Sequence, residues 1–202
     1  MSLKPSLNLT EKRQAQLEAL MVAAEKRICE QGTHSLKARD LAADIGVALG
    51  GLYNIVHDMD ALLLMVSSRT LTRLGEAIEA ATHDMPMTTR PEALERLVGV
   101  AQAYLGFAQK NLPLWRMIFE LRLASPLPDW AAQDQLRLFR HIAEPLKVIM
   151  PELDDAALSI RARTLFAAVH GIISIGLEDR LIAVPTQKLA DETGWLIRAA
   201  CR

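Results

Sequence analysis

The sequence predicts an all-α protein, with a three-helix head at its N-terminus and a larger helical domain after it, about nine helices in total. Half of the 202 residues are apolar and only 4% are aromatic, a composition that favours helices over sheet. Apolar residues also recur at spacings of three and four along most of the chain. Glycine and proline interrupt these stretches where helices would be joined by short loops.

Residues 36–62 contain the pattern of two short helices joined by a tight turn. Leu41 and Ile45 lie four residues apart, and Gly46 follows them as a stop signal because glycine adopts the left-handed conformation that ends a helix. The apolar pattern resumes after the turn at Val47, Leu52 and Ile55. This is the layout of a helix-turn-helix, whose second helix can enter the major groove of DNA.

The other helices follow from the same periodicity. Residues 1–9 are expected to form a flexible arm, followed by a first helix that ends at Gly32. A long helix is predicted from Met59 to about Thr82, and the two prolines at 86 and 91 end it. Turn residues and further prolines then separate helices over about 91–110, 114–123, 130–150, 154–177 and 186–200.

The last two predicted helices have more apolar surface than one contact face requires. Residues 165–177 are apolar nearly all round, which is typical of a helix that is buried on two sides. Gly171 and Gly176 would let another helix approach closely, and the final helix carries Trp195 and Ile197. We therefore expect these helices to form a homodimer interface, with capping of the monomer core as the alternative.

Charge and composition restrict the class of protein. A net charge of −1 does not suit a protein whose whole surface binds nucleic acid, so any attraction for DNA must be local. There is no apolar run of membrane-span length and no basic-then-apolar leader, which predicts a soluble cytoplasmic protein. Cys29 is expected to be a small buried residue, and Cys201 an incidental thiol near the chain end.

The sequence contains no recognisable catalytic motif. A nucleophile elbow, a phosphate loop, an HExxH sequence and a paired-cysteine metal pattern are all missing. The five histidines, at 34, 57, 83, 141 and 170, are too scattered to form a ligand set by spacing alone. We therefore expect no enzymatic activity, no metal and no cofactor.

The helix-turn-helix stretch also has a specific residue order. Arg39-Asp40-Leu41-Ala42, then Gly46-Val47, then Gly50-Gly51-Leu52-Tyr53 resembles the N-terminal domain of the TetR family of bacterial transcriptional regulators, over about residues 17–74. The resemblance implies a DNA-binding domain at 1–56 and a ligand-binding and dimerisation domain at 57–202. It further implies a dimeric repressor that a small apolar or amphipathic effector releases from a palindromic operator. His170-Gly171 is similar to a signature of one TetR subgroup on the penultimate helix.

The resemblance also implies a set of DNA contacts. Tyr53 resembles a tyrosine that binds phosphate, Asn54 can pair with an adenine edge, and Leu49 or Ala48 can touch a thymine methyl group. The complete predicted set is Lys4, Lys12, Arg13, Lys37, Arg39, Ala48, Leu49, Gly50, Gly51, Tyr53 and Asn54.

The predicted second helix of the head departs from the usual family pattern. Members usually carry polar, cationic or aromatic residues where this chain has Ala48, Leu49, Gly51, Asn54, Ile55, Val56 and Met59. Lost phosphate contacts predict weaker DNA binding, or binding that relies more on the arm. The alternative is a helical dimer with a degenerate head, which binds a small molecule or a partner protein but not DNA.

Large side chains are concentrated between residues 104 and 139 of a chain that is otherwise poor in aromatics. They predict a mostly apolar ligand cavity with few polar groups, although core packing is the alternative for each residue. The predicted ligand-binding residues are Tyr104, Phe107, Trp115, Arg116, Phe119, Arg122, Trp130, Phe139, His141, Phe166 and His170.

Overall fold

The computed structural model describes residues 9–121, 128–178 and 180–202, and within these ranges the chain forms nine α-helices and no strand. The helices are α1 (Leu9–Gln31), α2 (Ala38–Asp44), α3 (Leu49–Ile55), α4 (Met59–Thr82), α5 (Arg90–Lys110), α6 (Leu112–Glu120), α7 (Asp129–Ile149), α8 (Asp155–Gly176) and α9 (Leu189–Ala200). Two 3-10 turns, Thr33–Ser35 and Thr186–Lys188, precede α2 and α9. The predicted all-α class is confirmed, whereas the N-terminal arm lies outside the described residues.

The chain folds into two compact units that do not follow the sequence order. Unit 1 contains the residues up to Thr70 together with 112–127, and unit 2 contains 71–111 together with 128–202. The helix α4 therefore begins in unit 1 and ends in unit 2, while α6 belongs to unit 1. A functional boundary after residue 56 stays a prediction.

The core of unit 1 is a buried apolar cluster that draws on five helices. Its fully buried members include Leu20 and Ile28 of α1, Leu41 of α2 and Leu52 of α3. The cluster is completed by Leu62 and Val66 of α4 and by Leu114 and Met117 of α6. Between α2 and α3, Gly46 has a φ of 69°, so the turn uses the left-handed conformation that the sequence predicts.

Two guanidinium groups join helices of unit 1 at the edge of this core. Arg27 of α1 donates hydrogen bonds of 2.5 and 2.9 Å to the carboxylate of Asp44 at the end of α2. That pairing lowers the pKa of Asp44. Arg69 of α4 donates to Glu18 of α1 and lies 3.6 Å from Glu25. These contacts fix α2 and α4 against α1.

Unit 2 is built around α5, which packs against α7 and α9, and α8 packs against the same two helices. Arg90 and Arg96 of α5 bind main-chain carbonyls at the C-terminal ends of other helices. Arg90 donates to the carbonyl of Cys201 at 2.6 Å and to that of Ile149 at 3.4 Å. Arg96 donates to the carbonyls of Thr82 and Met85 at 2.6 and 2.7 Å. Cations at these positions complement the unpaired carbonyls and the helix dipole.

Several helix ends differ by one to three residues from the predicted ones. The helix α5 begins at Arg90 because Thr89 and Glu92 form a reciprocal capping box. Leu112 and Pro113 belong to the first turn of α6 instead of a break before it, since proline is tolerated in a first turn. At the start of α8, Asp154 is the N-cap residue, and its carboxylate accepts from the Ala157 amide at 2.8 Å.

The two cysteines have the opposite exposure to the predicted one. Cys29 is exposed, because it lies one residue past Ile28 on the solvent side of α1. Cys201 is buried at the end of α9, and burial raises the pKa of its thiol. The expectation of a buried Cys29 and an incidental terminal Cys201 was therefore wrong.

One helix of the described residues, α8, is long and apolar enough by composition to cross a membrane. The core helix of a soluble protein passes the same test, and α3 and α4 pass it only as a pair bent by 53°. The predicted absence of a membrane-length apolar run referred to unbroken apolar residues, and α8 is interrupted by Arg161 and Arg163.

Candidate functional site

The helix α3 divides into a buried face and an exposed face. Leu52 is fully buried and Ile55 is 7% exposed, so these two side chains attach the helix to the core of unit 1. Leu49 is 40% exposed and Tyr53 is 47% exposed. The residues of and next to α3 that are exposed are Ala48, Leu49, Gly50, Tyr53 and Asn54. The structure thus brings most of the predicted contacts of this helix to the surface of unit 1.

The two glycines of α3 have different surroundings. A Cβ atom added to Gly50 would meet nothing within 4 Å, so the helix backbone is bare at this position. A Cβ added to Gly51 would lie 3.4 Å from the Cβ of Val47, which partly covers it. A partner molecule could therefore approach the α3 backbone most closely at Gly50.

Charged groups near this surface are few. Lys12, Arg13, Lys37 and Arg39 are exposed, whereas Lys4 lies outside the described residues. Residues 9–70 contain seven Lys or Arg against eight Asp or Glu, and α3 itself has no charged residue. Four cations of the predicted set are therefore among the described residues, and residues 9–70 carry no excess of positive charge.

Unit 2 contains an apolar cavity of about 40 Å³. Its wall is formed by Ile78, Leu97, Val100, Ala101, Tyr104, Leu138, Ile142, Leu165, Phe166, Val169 and Ile197. The volume accommodates a few water molecules, whereas ligand pockets are typically about 300–1,000 Å³. A small-molecule ligand can enter only if the lining side chains move.

Aromatic rings adjoin this cavity and contribute its polar group. The ring of Phe166 makes edge contacts with those of Tyr104 and Phe139, at centroid distances of 5.9 and 5.3 Å. It also stacks on His170 at 5.5 Å. The Tyr104 hydroxyl lies 2.8 Å from Nδ1 of His170. Tyr104 therefore brings one hydrogen-bonding group to an otherwise hydrocarbon wall.

Two histidines of unit 2 are shifted towards the neutral form. Burial lowers the pKa of His170. Burial also lowers the pKa of His141, and this effect is opposed by Glu79, whose carboxylate oxygen is 3.8 Å from Nδ1. Among the described residues, no group of three or more His, Cys, Asp and Glu side chains could hold a metal ion.

The predicted ligand-binding residues do not all lie together. Tyr104 and Phe166 line the cavity, and Phe139 and His170 adjoin it through ring contacts. Phe107 is buried in α5 but does not line it, and Trp130 is 44% exposed at the start of α7. His141 lies in a separate groove of unit 2. Trp115, Arg116 and Phe119 are in α6 of unit 1, and Arg122 lies outside the described residues.

Sequence reasoning missed most of the cavity wall, because nine of its eleven residues are aliphatic. Leu97 and Ala101 fit the apolar periodicity of their helix, but nothing in an aliphatic pattern separates a cavity wall from an ordinary core. The concentration of aromatic residues was the only feature of the sequence that indicated a cavity, and it identified residues at one end of it.

Comparisons with known proteins agree with this architecture. The family described as "Tetracyclin repressor-like, C-terminal domain" matches residues 97–199, just over half of the chain. A comparison with curated proteins found no match.

Three solved structures have a similar fold. A protein with unknown function from Rhodococcus sp. RHA1 has a TM-score of 0.75 at 20% identity, over 93% of this chain and 96% of that one. PfmR, a TetR family transcriptional regulator from Thermus thermophilus, has 0.62 at 17% identity, over 88% and 96%. FadR from the same organism, a TetR family transcriptional repressor in complex with lauroyl-CoA, has 0.63 at 22% identity, over 91% and 92%.

Acidification is expected to destabilise the protein through His170. Because burial lowers the pKa of this residue below 6.5, the unfolded chain takes up a proton here that the folded chain does not. The free energy of unfolding should therefore fall as the pH decreases below about 6.5. Urea unfolding at neutral pH and at about pH 5.5 should show a larger loss for the wild type than for His170→Gln. Equal losses would contradict this role of His170.

Proposed function

The chain belongs to the TetR family of transcriptional regulators, and on that basis we propose that it is a homodimeric repressor that binds a palindromic DNA operator and responds to a small effector. The observation that carries this proposal is the exposed, uncharged face of α3, held on a buried core in a helix-turn-helix. Regulators of this family are not enzymes, and the proposed role requires no catalytic group, metal or cofactor. It would be exercised in the cytoplasm, where the chromosome is.

DNA binding would use α3 in the major groove and α2 across the phosphate backbone, as in other helix-turn-helix proteins. Ala48, Leu49 and Asn54 are proposed to face the base pairs, while Gly50 and Gly51 would let the start of α3 lie close to the DNA backbone. Phosphate contacts are proposed for Tyr53 and for the cations Lys4, Lys12, Arg13, Lys37 and Arg39. In a twofold dimer the two copies of α3 would enter grooves about 34–36 Å apart, which matches a palindrome.

Dimerisation is supported by the apolar face that α8 and α9 leave uncovered in one protomer. Only 28% of the most apolar window of α8 is buried. Ile160 and Ile175 of α8 are 65% and 44% exposed, and Trp195 of α9 is 63% exposed. A Cβ added to Gly171 would meet nothing within 4 Å, so this glycine has room for a partner helix. A second copy of the chain would bury these side chains in a four-helix contact.

The effector site is proposed at the cavity of unit 2. Its wall is apolar except for the Tyr104 hydroxyl, so it suits an apolar or amphipathic effector. The TetR family repressor that was solved with lauroyl-CoA supports the amphipathic class. The remaining predicted residues, which include His141, Trp115, Arg116, Phe119, Arg122 and Trp130, stay a proposal for a ligand that extends beyond this wall. The His170-Gly171 signature of a subgroup also stays a prediction.

Effector and operator would be coupled through α4. Ile78 of α4 lines the cavity, and the same helix contributes Leu62 and Val66 to the core of unit 1. An effector that enlarges the cavity must displace its lining, which would move α4 and change the spacing of the two heads. Linkage requires the coupling to be reciprocal, so operator DNA would weaken effector binding by the same factor.

The test of the proposed function is Gly50→Glu, compared with Gly50→Gln. Both side chains would extend into open space, so thermal stability should be unchanged. The carboxylate would face the phosphates and is expected to weaken binding to a duplex from the promoter beside the gene by at least about tenfold more than the amide does. Fluorescence anisotropy measures both affinities. Unchanged affinity in both variants would contradict α3 as the recognition helix, and no binding by the wild type would favour the alternative, a helical dimer whose head does not bind DNA.

The proposed dimer predicts that Trp195→Glu and Ile160→Glu each give a monomer. Either substitution would place a carboxylate in an apolar contact between two copies of the chain. Leu136→Glu is the matched control, because Leu136 is 60% exposed on α7, outside the proposed interface. Sedimentation velocity should show a dimer for the wild type and this control. Dimers in all three variants would contradict an interface formed by α8 and α9.

A further inference from the structure

The exposed side chains of α3 restrict which base pairs this helix can recognise. We propose that the head reads A·T base pairs directly, through thymine methyl groups and adenine edges, so that the operator half-sites are A·T at the contacted positions. This inference rests on the proposed binding of DNA by α3. It specifies the chemical class of sequence that the surface accepts.

The surface lacks the groups that read G·C pairs. Guanine is usually read by Arg or Lys at O6 and N7, and cytosine by a carboxylate that accepts from N4. The helix α3, Leu49–Ile55, contains neither type of residue. The carboxylates that flank it in sequence are engaged, because Asp44 accepts from Arg27 and Asp58 accepts from the Ala61 amide at 2.7 Å.

The other charged groups of the helix-turn-helix are placed for phosphates. Lys37 and Arg39 lie at the start of α2, the helix that crosses the DNA backbone in this motif. His57 lies outside α3, beyond its C-cap residue Val56, and so is not part of the helix that enters the groove. None of these three side chains is therefore expected to supply a guanine contact.

What α3 does expose fits A·T pairs. Leu49 is 40% exposed and Ala48 is exposed beside it, and hydrocarbon groups of this kind pack against the thymine methyl. The carboxamide of the exposed Asn54 offers a donor and an acceptor, which match N7 and N6 of adenine. Gly50 presents bare backbone beside them, so the start of the helix can lie close to the DNA backbone.

The balance of acidic and basic residues in the head makes contacts with the bases more important for the free energy of DNA binding. Residues 1–70 have eight Lys or Arg and eight Asp or Glu, so no net positive charge attracts the phosphates non-specifically. Recognition must then draw a larger share of its free energy from contacts with the bases. Contacts with thymine methyl groups and adenine edges contribute this free energy only where the DNA has A·T pairs.

The experiment begins with selection of bound duplexes from a random pool by the full-length protein at low salt. In the enriched duplex, single thymines are then replaced by deoxyuridine, which removes the 5-methyl group, and single adenines by 7-deazaadenine, which removes the N7 acceptor. Each replacement at a contacted position is expected to weaken binding about three- to tenfold in fluorescence anisotropy.

Variants of the protein test which side chain is responsible for each loss of affinity. In Leu49→Ala the loss caused by deoxyuridine should shrink, and in Asn54→Ala the loss caused by 7-deazaadenine should disappear, since each pair of changes removes the same contact. Val22→Ala is the matched control, because Val22 is 52% exposed in unit 1 but lies on α1. It should respond to both base analogues as the wild type does.

Three results would overturn the inference. Enriched sites that require G·C pairs in the contacted major groove would show a readout that α3 cannot perform. A·T-rich sites that tolerate both analogues without loss would show recognition of groove shape instead of base edges. In both cases the proposed DNA binding would stand. Failure to bind any member of the pool at low salt would contradict the proposed function itself, and the inference with it.

Discussion

The long helix α4 is the constraint on which the rest of the structure depends, because it supplies buried side chains to two separate cores. Leu62 and Val66 belong to the cluster of unit 1, and Ile78 lines the cavity of unit 2. Guanidinium groups fix it in both units. Arg69 ties it to Glu18 in unit 1, and Arg96 holds the carbonyl of Thr82 in unit 2. Under the proposed function, a displacement of α4 by an effector would act on both cores.

The head shows how few buried side chains hold a helix that has one face exposed. Leu52 and Ile55 anchor α3 in the core, and the turn at Gly46 sets its direction. The opposite face is then free to carry residues that contribute nothing to stability. In this chain that face has no charged residue and exposes hydrocarbon, the Tyr53 phenol, one amide and bare backbone. Under the proposed function, such a face would gain little binding free energy from the phosphates and would depend on contacts with the bases.

The sequence predicted the helices well because helical periodicity and helix stops are local signals. The predicted bounds of α4, Met59–Thr82, are those of the structure, and the left-handed turn at Gly46 is confirmed. The capping box of Thr89 and Glu92 was also readable as Thr-x-x-Glu, but it was missed.

The sequence does not show which of the two cores each helix joins, and the errors in the predicted ligand-binding residues arise from this. Trp115 and Phe119 were assigned to a cavity because they are large, yet α6 belongs to unit 1, where Leu114 and Met117 are buried. Periodicity shows which face of a helix is buried but not against what. The aliphatic wall of the cavity is indistinguishable in sequence from an ordinary core for the same reason.

The measurement that tests the central claim most directly is binding of the purified protein to a duplex from the promoter beside its gene, across a salt titration. The account predicts selective binding whose logarithmic salt slope is about −9 or shallower, at about −0.9 per phosphate. A dimer would offer at most two copies each of Lys4, Lys12, Arg13, Lys37 and Arg39 for those phosphates. No binding at the lowest salt, with a ligand-free dimer in solution, would contradict the claim that this chain is a DNA-binding regulator.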